Sequence, residues 1–173
     1  MNGFEMIDRA VAAMFTDNLH GILAYDEVSL LFESEEKLID FQHACYRNGI
    51  DHFNSVYRDA MVRLDKHGEE FVVRFEFFRL IHRPWRIEAM CVIGGDAPLH
   101  EESLARWGNG APFHLSYKLR DVEMYADDVR NIRSDRGLVM AAEYRNSYGM
   151  MSYWMKPGSK GLYLKPRVNL RDA

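Results

Sequence analysis

A chain of 173 residues that is 47% hydrophobic and 13% aromatic can bury one sizeable core, and that composition excludes intrinsic disorder. The formal net charge of -4, with basic residues scattered and not striped, argues against nucleic acid as a partner. No apolar run approaches the roughly 20 residues that a membrane-spanning helix needs, which argues against a membrane partner as well.

The stretch GFEMIDRAVAAMF places Phe4, Ile7, Val11 and Met14 at helical spacing and predicts an amphipathic helix within residues 1–20. It either covers an open face of the domain or serves as an arm in a homodimer. Glu5 and Asp8 stand where a secretory signal would be basic, so a cytoplasmic protein is expected. Cys45 and Cys91 lie outside any CxxC arrangement and read as free buried thiols.

Val28, Leu30 and Phe32 alternate in DEVSLLF, which predicts a strand. Ser34 then reads as the N-cap of a helix over EEKLIDFQHACYRNG, with Leu38, Phe41 and Cys45 on one face and Gly49 as terminator. Three strands follow: SVYRDAMVRL (55–64), EEFVVRFEFF (69–78) and WRIEAMCVI (85–93), the first two joined by the turn-like DKHG. Residues 94–111 are rich in Gly and Pro and read as a linker containing a short helix around EESLARW.

After this linker the order begins again. FHLSYKL (113–119) reads as a strand, Asp121 as the N-cap of a helix over VEMYADDVRNI, and GLVMAAEYRN, YGMMSYWMK and KGLYLKPRV as three further strands. Glu27-Val28-Ser29-Leu30 aligns with His114-Leu115-Ser116-Tyr117, and the caps Ser34 and Asp121 each fall seven residues beyond the start of those quartets. The chain is therefore an internal repeat. Its expected class is α+β: an N-terminal helix (1–20), a first βαβββ module (21–93), the linker (94–111), a second βαβββ module (112–168) and a short tail (169–173).

Paired βαβββ modules, with RIEAMCV closing the first and APFHLSYKLRDVEMYADDV opening the second, resemble the vicinal oxygen chelate superfamily of glyoxalase, bleomycin resistance and extradiol dioxygenase-like proteins. The resemblance covers about residues 22–168. It implies two half-barrels around a cleft, with His and Glu ligands from the first and last strand of each module holding one divalent Fe, Mn, Zn or Ni. Carried over, the pattern places Glu27, Glu88, His114 and Lys165 at the reaction centre, with Tyr163 replacing Lys165 if the last strand slips by two residues.

The departures from the family pattern are chemical. Glu27 stands where a first-strand histidine is usual, and Lys165, a donor-only ammonium, stands where a glutamate is usual. A degenerate metal site of Glu27, Glu88, His114 and, after a slip, Tyr163 is one expectation. A metal-free acid–base site is the other. Ser29, Ser116, Met150 and Trp154 are expected to line the space for a small oxygenated or aromatic ligand, and a binding protein without catalysis is the alternative to a lyase, isomerase or dioxygenase. The other histidines, His20, His43, His52, His67, His82 and His100, show no HxH or HExxH spacing and read as surface or loop residues.

Overall fold

The computed structural model describes residues 25–52, 60–64, 69–79, 86–118, 139–146, 149–155 and 163–167. The expected N-terminal helix, the DKHG turn and the helix after Asp121 lie outside these residues. Nine strands are described: β1 (Tyr25–Phe32), β2 (Asp51–His52), β3 (Ala60–Leu64), β4 (Glu69–Arg79), β5 (Arg86–Gly95), β6 (Ala111–Lys118), β7 (Val139–Asn146), β8 (Gly149–Met155) and β9 (Tyr163–Arg167). Two helices accompany them, α1 (Glu35–Arg47) and α2 (Pro98–Trp107).

In the first half β1 lies parallel to β5, which pairs antiparallel with β4 and through it with β3. In the second half β6 lies parallel to β9, which pairs antiparallel with β8 and through it with β7. The strand sequence β1-β5-β4-β3 thus recurs as β6-β9-β8-β7, and the class is the α+β arrangement of paired modules. The halves are joined by antiparallel pairing of β1 with β6 and of β3 with β7. The sheet order β2-β4-β3-β7-β8-β9-β6-β1-β5, with the further β4–β5 pairing, shows how strongly this mixed sheet curls.

Strands β1, β5 and β6 bury side chains on both faces. On the outer one, α1 lays Leu38, Phe41 and Cys45 over Val28, Leu30, Phe78, Ile87 and Leu115. Ser34 caps it by accepting from the Lys37 amide, and Glu35 and Glu36 in the first turn suit the positive end of the helix. Phe41 sits 5.0 Å from Phe32 and 5.4 Å from Phe78 between ring centroids. Gly49, at φ 68°, adopts the left-handed conformation that turns the chain out of the helix.

The inner face is filled by Leu31, Phe71, Val73, Met90, Phe113, Tyr153 and Tyr163, against which α2 is packed. β8 is buried on both sides, with consecutive Tyr153 and Trp154 each at most 3% exposed.

The structure adds detail to the sequence reading. β5 runs on to Gly95, and the Gly- and Pro-rich stretch carries a ten-residue helix with Pro98 in its first turn. A two-residue strand, β2, edges β4. Of the strand expected at 55–64, Ala60–Leu64 is described.

Candidate active site

The sheet register fixes which residues of the two modules are equivalent. Ser29 pairs with Glu88 and Glu27 with Arg86 between β1 and β5; Ser116 pairs with Lys165 and His114 with Tyr163 between β6 and β9. Lys165 is therefore the counterpart of Glu88, and Tyr163 the counterpart of Arg86. No slip puts Tyr163 at the last-strand ligand position.

An irregularity in β6 shapes the centre. Val28 pairs with Leu115 but Leu30 with Pro112, so Phe113 and His114 together lie opposite the single residue Ser29. This is a β-bulge, and it breaks the alternation that would send neighbouring side chains to opposite faces. The Phe113 and His114 rings come within 5.3 Å, and both residues are 0% exposed.

Glu27, completely buried on β1, is the hub. Its Oε2 accepts from Arg86 Nε at 3.0 Å and Nη2 at 2.8 Å. Its Oε1 accepts from Ser116 Oγ at 3.0 Å and faces Lys165 Nζ at 3.2 Å and His114 Nε2 at 3.4 Å. Glu88 Oε2 faces His114 Nε2 at 3.1 Å and Lys165 Nζ at 3.5 Å. Two carboxylates are thus balanced by two cations, Lys165 and Arg86, around one imidazole. Because ionised carboxylates only accept, His114 Nε2 carries the ring proton that faces them.

Glu27, Glu88 and His114 form a group that could hold a metal ion, their ligand atoms lying within 4.8 Å of one another. The whole donor set does not fit one with Lys165 in place. The Lys165 ammonium lies 3.2 Å from Glu27 Oε1 and 3.5 Å from Glu88 Oε2, bringing a positive charge against both carboxylates that would bind an ion. A ligating His114 would also have to surrender the Nε2 proton and carry it on Nδ1, which has no hydrogen-bond partner among the described residues.

Of the expected lining residues, Ser116 joins the cluster through Glu27. Ser29 is buried beside Glu88 in the register, and its Oγ has no partner among the described residues. Tyr153, not Trp154, meets His114, at 5.4 Å between rings; Trp154 follows it in β8 and points to the opposite face. Tyr163 packs on Phe113 at 5.2 Å, and its hydroxyl pKa is raised by burial first and by the Glu102 carboxylate next. Met150 lies in β8 with its side chain outside the described residues.

Two contributors escaped the sequence reading. His100 is not a loop histidine: it stands in α2, 2% exposed, between Phe71 at 4.8 Å and Phe113 at 4.4 Å. Burial first, then the electrostatic influence of neighbouring His114 and Lys165, push its pKa down to about 3, so it is neutral. The helix signals around it, Pro98 and the first-turn Glu101, were present in the sequence. Arg86, which the family pattern does not place at the centre, reaches its guanidinium inward to Glu27 and lies 4.4 Å over the Phe77 ring.

Several solved structures share this fold at low sequence identity. A hypothetical protein from Bacillus halodurans C-125 is 12% identical with a TM-score of 0.55, covering 84% of this chain and 94% of that one. Methylmalonyl-CoA epimerase from Mycobacterium tuberculosis is 14% identical with a TM-score of 0.55, covering 86% and 93%. A mutant of 4-hydroxymandelate synthase from Streptomyces coelicolor is 13% identical with a TM-score of 0.54, covering 85% of this chain and 49% of that one. At these identities the likeness shows the fold. No family model matches the sequence, and no curated protein matches it. No described helix is long and apolar enough to cross a membrane.

Proposed function

We propose that this chain is an enzyme that moves a proton at a carbon adjacent to a carbonyl in a small oxygenated substrate, using Lys165 as its cation in place of a divalent metal. The observation that carries this reading is the Lys165 ammonium, seated 3.2 Å from Glu27 and 3.5 Å from Glu88. Glu27 is committed to Arg86, Ser116, His114 and Lys165 and serves as a fixed charge. Glu88 is the base: its side chain is 8% exposed, against 0% for Glu27, and it meets two partners.

Glu88 takes the proton from carbon and becomes a carboxylic acid. The C–H electron pair moves toward the carbonyl, and the negative charge that develops on oxygen is stabilised by the Lys165 ammonium. His114 Nε2 lies 3.1 Å from the Glu88 carboxylate, and the proton returns to carbon to complete the turnover. Preorganised charge in a site shielded from water is the strongest means available to such a centre. The similarity to an epimerase structure supports proton transfer as the reaction type. The near-complete burial of the cluster favours, as a second reading, a small-molecule binding protein without chemistry.

Deuterium incorporation from D2O, followed by NMR across a panel of 2-oxo acids, acyl thioesters and aromatic α-hydroxy ketones, tests the proposal. The expected result is exchange with at least one compound, insensitive to EDTA and reduced about 10²- to 10⁴-fold in Glu88→Gln, the range for removing a general base. Binding of a compound without exchange supports the second reading. Exchange that requires an added metal overturns the role given to Lys165.

A further inference from the structure

Glu27 and Glu88 face the same histidine and the same lysine, yet among the described residues only Glu27 has an arginine. Arg86 reaches it from the solvent side: its side chain is 28% exposed while that of Glu27 is 0%. Both the Nε and Nη2 contacts fall on Oε2. A single N–H contact would leave the carboxylate free to pivot about its last torsion; two contacts on one oxygen, from a planar guanidinium, restrain it. The guanidinium is restrained in turn by the face of Phe77, 4.4 Å away, on the adjacent strand β4. With Oε2 held, Oε1 is turned toward module two, where it meets Ser116, His114 and Lys165.

We infer that Arg86 is a positioning residue: it fixes the rotation of Glu27, through which His114 and Lys165 are aligned, and so leaves Glu88 as the carboxylate that exchanges protons. The catalytic consequence rests on the proton-transfer reading above; the geometric part does not. Arg86 acts through Glu27 alone, and its counterpart in module two, Tyr163, packs on Phe113 and supplies no such clamp.

The test uses the full-length protein labelled with 15N. Long-range 1H–15N spectra at neutral pH report which nitrogen of His114 bears the proton. In the wild type a pure Nε2–H pattern is expected. In Arg86→Ala that pattern becomes a mixture, because a pivoting Glu27 no longer holds the ring. Methylguanidinium, which fits the vacated face of Phe77, restores it. Arg86→Lys, which keeps the charge but loses the forked contact, gives an intermediate pattern and supplies the readout if Arg86→Ala does not fold.

Where exchange activity is found, Arg86→Ala lowers kcat about 10- to 100-fold with little change in KM, as expected of misalignment rather than lost binding. An unchanged His114 pattern in both variants overturns the inference. A changed pattern in a protein without exchange activity upholds the positioning role and overturns the reaction.

Discussion

Replacing Lys165 by glutamate converts an ion cluster into a ligand set. The register makes Lys165 the equivalent of Glu88, each beside a serine of the neighbouring parallel strand, so Lys165→Glu places a carboxylate at the mirrored position. Without metal the variant loses the ammonium shared by Glu27 and Glu88 and gains a third buried carboxylate. Removing one partner of a buried pair costs about 3–5 kcal/mol, which for a domain of this length lowers Tm by about 6–20 °C. A divalent ion then finds three carboxylates and His114. At about 100 to 1,000 times its Kd it returns about 2.7–4.1 kcal/mol, because it binds the folded chain alone. Thermal unfolding with and without Mn, Ni or Zn, paired with elemental analysis, measures both halves. The expected outcome is a metal-dependent rise in Tm and about one ion per chain in Lys165→Glu, and neither in the wild type. Equal metal content and equal Tm shifts in the two proteins would refute the claim that the ammonium keeps the ion out.

Other variants probe the scaffold. His100 is pushed down to about 3 in the folded chain from a usual value of 6.5, so the unfolded chain binds the extra proton. Its contribution is therefore complete above pH 6.5 and is lost as the pH falls toward 3, at up to about 1.4 kcal/mol per pH unit. His100→Phe, which suits the Phe71 and Phe113 rings, flattens urea-unfolding stability between pH 6.5 and 4.5; a slope equal to that of the wild type argues against this account. Phe41→Ala empties the junction of α1 with Phe32 and Phe78 and lowers stability by about 3–5 kcal/mol by urea unfolding. A loss below 1 kcal/mol there would mean that α1 is not anchored through this ring.

The strands were legible because alternation in EEFVVRFEFF and RIEAMCVI is a direct consequence of a two-residue period, and both segments form β4 and β5. Ser34 and Gly49 marked α1 at both ends for equally local reasons. The cluster Glu27, Glu88, His114 and Lys165 was reached through the repeat, since no local motif joins four residues from four strands. What stayed hidden depends on tertiary geometry. A bulge at Phe113–His114 leaves no compositional mark, so the neighbouring rings could not be foreseen to meet. Trp154 and Tyr153 are both large, and only the orientation of β8 decides which one faces His114. Arg86 alternates as any edge charge would, and its value comes from the depth of Glu27 beside it.

The two modules have divided a symmetric set of positions by charge. Module one supplies Glu27, Glu88 and Arg86; module two supplies, at the equivalent positions, His114, Lys165 and Tyr163. The contacts of Glu27 with Ser116 and His114 cross the β1–β6 seam, and that with Lys165 reaches β9 beyond it. A one-residue slip of β6 along β1 would turn Ser116 away from Glu27, because side chains alternate along a strand. That slip would leave a fully buried carboxylate short of partners, at a cost of several kcal/mol. The hydrophobic residues on either side of the seam, such as Val28 and Leu115, tolerate similar neighbours and discriminate less. The charge cluster therefore selects one register between the modules as well as assembling the chemical centre, and the residues that define the site are the ones that align the two halves of the fold.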